Sequence, residues 1–96
     1  MILPVLTALA EPTRLAAMRI LSDGQEHCVC ELMARLDVTQ SRMSRHMKVL
    51  AQAGLIRGRR DAQWVRYRLD PRMPPEIAAV LEAVLAADTE TEKEIA

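Results

Sequence analysis

The sequence predicts a mainly α-helical fold that carries one small β-hairpin. Three observations predict it. Aromatic residues are nearly absent, with one Trp, one Tyr and no Phe, so the core must be built from Leu, Ile, Val, Met and Ala; that composition favours helices. Apolar residues recur at helical spacing along most of the chain, and the period drops to two only between Leu55 and Leu69. The 96 residues, half of them apolar, suit one domain with a modest core, spanning 1–96.

Each element has a local cause. Met1 to Ala10 is apolar on nearly every side, which predicts a short helix covered on both faces. Glu11-Pro12 starts a second helix, with Pro12 at its first position, and Asp23-Gly24 ends it after about Leu21. A third helix is expected over about His27 to Leu36, with Val29, Leu32, Met33 and Leu36 on one stripe. Asp37-Val38 makes a short turn. Thr39 is a good N-cap and Gly54 a good stop, so a fourth helix lies within 39–53. Its apolar stripe is Met43, Met47, Leu50 and Ala51. Leu55 to Arg60 and Trp64 to Leu69 read as two strands around Asp61-Ala62-Gln63. Val65, Tyr67 and Leu69 should face inward, alternating with Trp64, Arg66 and Arg68. Trp64 and Tyr67 are read as packing the hairpin onto the domain rather than stacking on bases. Pro74-Pro75 opens a last helix with Ile77, Val80, Leu81, Val84 and Leu85 on one stripe. The acidic tail, 89–96, is expected to fray. Two helices joined by a short turn and followed by a basic hairpin make a winged helix-turn-helix, with 55–69 as the wing.

The charge pattern points to the partner. Formal net charge is zero, which at face value argues against nucleic acid or a membrane surface. Yet Thr39 to Arg68 holds eight basic residues against one acid, Asp61, for +7, and the remainder is −7. The fourth helix therefore presents Gln40, Ser41, Arg42, Ser44, Arg45 and Lys48 opposite its apolar stripe. Gln, Ser and Arg hydrogen-bond base edges, and small residues allow close approach in the major groove. Arg42, Arg45 and Lys48 suit phosphates or guanine. His46 is either a DNA contact or a satisfied, partly buried histidine. The hairpin adds Arg57, Arg59, Arg60, Arg66 and Arg68, of which Arg59, Arg60 and Arg66 are taken as the wing contacts. Double-stranded DNA is the expected partner.

Cys28 and Cys30 form a second constellation. Neighbours so close in sequence rarely make a structural disulfide, which suggests a reduced, cytoplasmic setting. On a regular helix their thiols would lie about 200° apart, so gripping one soft ion would distort the first turn. Two small packed hydrophobes are the other reading of the same pair. Few other chemistries are encoded. No carboxylate pair, Gly-rich phosphate loop or nucleophile triad has supporting context, so no enzyme is expected. No apolar run reaches the roughly 18 residues of a membrane helix.

Glu11-Pro12-Thr13-Arg14-Leu15, Cys28-Val29-Cys30-Glu31-Leu32, the run Thr39 to Leu50, Gly54-Leu55-Ile56 and Trp64 to Leu69 come in the order seen in the ArsR/SmtB family of metal-sensing repressors, which this chain resembles from roughly Leu9 to Leu69. The Cys-Val-Cys-Glu-Leu stretch is similar to the arsenic-responsive branch. The resemblance implies a homodimer on an inverted-repeat operator, with 39–53 as recognition helix and 1–10 and 75–87 as dimerisation helices. It implies Cys28 and Cys30 as ligands of trivalent arsenic or antimony, whose binding releases the repressor. The branch often carries a third cysteine where this chain has Met33, which reads here as core. A third ligand is then a small-molecule thiol, His27 or none. The last helix has Glu76, Glu82 and Asp88 but no His, which does not match the zinc-sensing branch. A redox or other thiophilic-metal sensor, and a non-inducible or architectural DNA-binding protein, are the alternatives on the same fold.

Overall fold

A computed structural model describes residues 1–88; the expected frayed tail, 89–96, lies outside the described residues. The chain runs α1 (Ile2–Leu9), α2 (Pro12–Leu21), β1 (His27–Cys28), α3 (Val29–Leu36), α4 (Gln40–Gln52), β2 (Ile56–Asp61), β3 (Trp64–Leu69) and α5 (Pro75–Ala87). The fold is mainly helical with a small antiparallel hairpin, as the periodicity predicts. Glu11 caps α2 by accepting from the Arg14 amide, and Thr39 caps α4 by accepting from the Arg42 amide at 3.4 Å. Gly54, at φ +82°, supplies the left-handed step that ends α4 and turns the chain into β2. Asp37 takes the same conformation at φ 54° between α3 and α4, where a short polar side chain is tolerated.

The core lies where α1, α2, α3, α4 and the hairpin converge. Met18, Leu21, Leu32, Met43, Met47, Leu50 and Leu55 are fully buried at its centre. Four points depart from the sequence expectation. Ala51 is exposed, so the buried stripe of α4 is Met43, Met47 and Leu50. Trp64 packs on the core along with Tyr67 and Leu69, as expected of the two aromatics, although strict alternation puts it on the other face of the strand. Only one face of α1 is covered within the chain: Val5, Ala8 and Leu9 are buried, while Ile2, Leu3 and Leu6 are exposed. On α5 only Leu81 is buried, and the rest of its stripe is half-buried.

The largest departure concerns His27 and Cys28. They are not the start of α3 but a short strand, paired antiparallel with β3 through His27–Tyr67 and Cys28–Arg66. The sheet order is β1-β3-β2. Cys28 is extended (φ −65°, ψ 142°) and becomes the N-cap of α3, its Sγ accepting from the Cys30 amide at 3.2 Å.

Candidate DNA interface and thiol site

Three residues separate α3 from α4, the spacing of a helix-turn-helix. Gln40, Ser41, Arg42, Ser44, Arg45 and Lys48 are all exposed on it, opposite the buried methionines. That face can approach a groove without breaking any core contact. His46 is different. Its side chain is 16% exposed, and its Nδ1 lies 3.2 Å from Arg14 Nη1 and 3.7 Å from a Glu11 carboxylate oxygen.

The wing is less cationic than its sequence. Arg59 forms a two-pronged pair with Glu26, at 2.9 and 2.7 Å. Arg66 donates to Asp61 at 2.7 Å. These hydrogen bonds hold both carboxyls below their ordinary range. Glu26 lies outside the basic segment in sequence, so charge counting alone assigns it to the acidic remainder. Arg57, Arg60 and Arg68 are exposed and have no ion pair among the described residues. Arg57 and Arg68 face each other across the β2–β3 ladder and, with Arg59 and Glu26, line an open cleft of about 570 Å³. Arg57 and Arg68 belong to the basic hairpin, but neither is among the expected wing contacts Arg59, Arg60 and Arg66. Their register sets two cations opposite one another, a costly arrangement that the Glu26 carboxylate in the same cleft partly offsets.

The thiol pair also differs from expectation. Cys28 and Cys30 are joined in a disulfide, with their Cα atoms 5.1 Å apart. The helical argument for thiols on opposite shoulders fails because Cys28 belongs to the β1–β3 ladder and precedes the helix. Cys28 is buried at 8% exposure, whereas Cys30 is exposed. Sulfurs that can meet in a bond can, once reduced, converge on one soft ion without unwinding the helix. The pair therefore brings two sulfurs together without any change in the helix. Neither suggested protein ligand completes it. His27 has both ring nitrogens occupied, Nε2 by Asp23 at 2.9 Å and Nδ1 by Glu31 at 3.0 Å. Burial lowers the His27 pKa, but the hydrogen bonds to these two carboxylates outweigh it and raise it above its ordinary value. Met33 is half-buried and packs against the core. Among the described residues no cluster of three or more His, Cys, Asp or Glu is arranged to hold a metal ion.

The position of this site matters more than its ligand count. Cys28 pairs with Arg66, which pairs in turn with Arg59. The disulfide thus sits at the start of α3, which packs on α4, and on the ladder that carries the wing.

The sequence profile described as "Bacterial regulatory protein, arsR family" matches residues 11–57. The arsenical resistance operon repressor of Escherichia coli K12 is 38% identical over 82 residues, covering 85% of this chain and 70% of that protein. The chain belongs to the ArsR family. Another ArsR-family relative, the arsenic resistance transcriptional regulator ArsR2 of Pseudomonas putida KT2440, is 38% identical over 90% of this chain and 75% of its own length. Among solved structures, HlyU from Vibrio cholerae N16961 superposes with a TM-score of 0.74 at 34% identity, covering 88% of this chain and 87% of that one. A structure of reduced HlyU from the same organism gives the same score over 90% and 86%. As an ArsR-family member the chain is a winged helix-turn-helix transcriptional regulator, not an enzyme. Among the described residues no helix is long and apolar enough to cross a membrane.

Proposed function

We propose that this ArsR-family regulator is a homodimeric repressor that leaves its operator when trivalent arsenic or antimony binds Cys28 and Cys30. The observation that carries the reading is the convergence of the two sulfurs at the junction of β1, α3 and the wing ladder. Reduced, the pair offers two thiolates, and soft ions prefer thiolate ligands. Each thiol proton leaves with one hydroxide of arsenous acid as water, and two As–S bonds form. The third position on the ion falls to a hydroxide or a small-molecule thiol, since His27 is held by Asp23 and Glu31.

Release follows from what the sulfurs are attached to. An ion wider than a sulfur–sulfur bond spreads Cys28 from Cys30. Cys28 then moves with Arg66 on β3, and Cys30 moves with the first turn of α3. Both DNA-contacting parts, α4 and the wing, rest on those elements. One local change therefore alters two contacts at once, as a ligand-driven switch requires. The exposed apolar residues of α1 and the alanines Ala79, Ala83 and Ala86 along the outside of α5 favour a two-fold dimer through these helices. Two copies would present two α4 helices to half-sites about one helical turn apart.

A second reading has the disulfide itself in its favour. Two thiols passing two electrons and two protons to a peroxide, which becomes two waters, or an alcohol and a water, would form the disulfide and set the switch by oxidation. One experiment separates the readings. Reduced protein on operator DNA is titrated with arsenite and, separately, with hydrogen peroxide, for the natural chain and for Cys28→Ser/Cys30→Ser. The double variant should bind operator normally and ignore arsenite, whereas the natural chain should be released. Normal release of the variant by arsenite rejects the site. Release by peroxide alone favours the redox reading, and response to neither favours a non-inducible DNA-binding protein.

A further inference from the structure

We infer that Arg14 and His46 are positioning residues for DNA reading: they fasten the recognition helix to the corner between α1 and α2. The inference rests on the reading above in which α4 enters the groove. Its origin is an accounting of backbone carbonyls. The last turn of a helix leaves four carbonyls without partners in the helix. At the end of α1 the Ala10 amide takes Leu6 and Thr7, and the Glu11 amide takes Leu9. The Ala8 carbonyl is taken by Arg14 Nε at 2.6 Å, and Arg14 Nη2 adds a bond to Thr7 at 3.3 Å. A guanidinium at a helix C-terminus also complements the helix dipole. Two donors of Arg14 are thereby fixed to α1, and the plane of the group is set.

The third nitrogen, Nη1, then points at α4, where His46 Nδ1 lies at 3.2 Å. A guanidinium only donates, so in this contact Nδ1 is the acceptor. Glu11 closes the corner. Its carboxylate accepts from the Arg14 amide at 2.8 Å and lies 3.7 Å from the same imidazole nitrogen. Burial pushes the Glu11 carboxyl up, but the amides of Arg14 and Thr13 outweigh it and keep it below the ordinary glutamate range. The side chain of His46 is thus engaged on the protein side through Nδ1. Its neighbours Arg45 and Lys48 are exposed on the groove face. A residue held from behind in the middle of α4 fixes the pitch of the helix, and so the direction in which Gln40 to Lys48 point. Arg14 lies outside the helix-turn-helix, and this bond is what ties it to α4.

Two amide substitutions separate positioning from contact. Asn places a polar group near Nδ1, and Gln places one near Nε2. Operator and non-specific DNA binding are measured by anisotropy for the natural chain and for His46→Leu, His46→Asn and His46→Gln, with thermal melts on the same samples. Positioning predicts that His46→Leu weakens operator binding about tenfold, the scale of one lost charged hydrogen bond. It also predicts a smaller loss on non-specific DNA and recovery to within about threefold by His46→Asn. Recovery by His46→Gln but not by His46→Asn would make His46 a DNA contact through Nε2 and overturn the inference. So would full operator affinity in His46→Leu. Arg45→Ala tests the underlying reading: unchanged operator binding in that variant removes α4 as the reader, and the inference with it.

Discussion

Ala62 occupies φ 57° at the tip of the hairpin, a conformation that costs a residue with a Cβ about 1–2 kcal/mol. Ala62→Gly should therefore stabilise the domain by about 0.5–1 kcal/mol, read as a higher thermal midpoint with unchanged operator affinity. A lower midpoint would mean that the loop gains more from a restricted unfolded chain than it loses in conformation. The turn was legible without any glycine at its tip, because Asp61-Ala62-Gln63 separates a basic run from the alternating Trp64 to Leu69. His27 and Cys28 were not legible. Within a local window they continue the pattern of α3, and only their pairing with Tyr67 and Arg66 makes them a strand. The same blindness to long-range contacts hid the Glu26 partner of Arg59. For His46 the residue type left two readings open, and the nearest groups, Arg14 and Glu11, come from another helix.

The wing shows how an element's charge is set by its neighbours. Its two cross-strand arginine pairs have different fates. Arg59 and Arg66 are each tied to a carboxylate, whereas Arg57 and Arg68 are not. Glu26→Gln should release Arg59 toward DNA. The expected result is tighter operator binding and a log–log salt slope steeper by about one, since each phosphate contact contributes about 0.9. A slope unchanged across an anisotropy titration in salt would mean that this arginine never reaches a phosphate. The helices were read well because their caps and stripes are local. α4 is the clearest case: Thr39, the buried methionines and Gly54 all fall where the sequence puts them. α5 was read in place, but its burial was not, because most of its stripe is only half-covered by this chain.

The neutral chain divides in sequence into a basic segment and an acidic remainder, and the structure brings the two together. Glu26 crosses into the basic segment, so the wing is weaker and α4 carries more of the positive field than the count suggests. Leu3 is 71% exposed, so a charge there costs an isolated chain little. In a dimer packed through α1 it would be buried twice. Leu3→Glu should weaken self-association about 100-fold in analytical ultracentrifugation while the far-ultraviolet circular dichroism stays native. An unchanged dimer would place the interface elsewhere.

The two arginines of α2 fasten the first and last helices to the body. Arg14 grips carbonyls at the end of α1, and Arg19 grips the Leu85 and Asp88 carbonyls at the end of α5, at 3.0 and 3.3 Å. Both fasten main-chain oxygens, which every amino acid provides. The outward side chains of α1 and α5 are then free to diverge without loosening either helix from the body. Sister copies of such a regulator in one cell could acquire mutually exclusive pairing surfaces while keeping the same reader, so duplicated genes need not form mixed dimers.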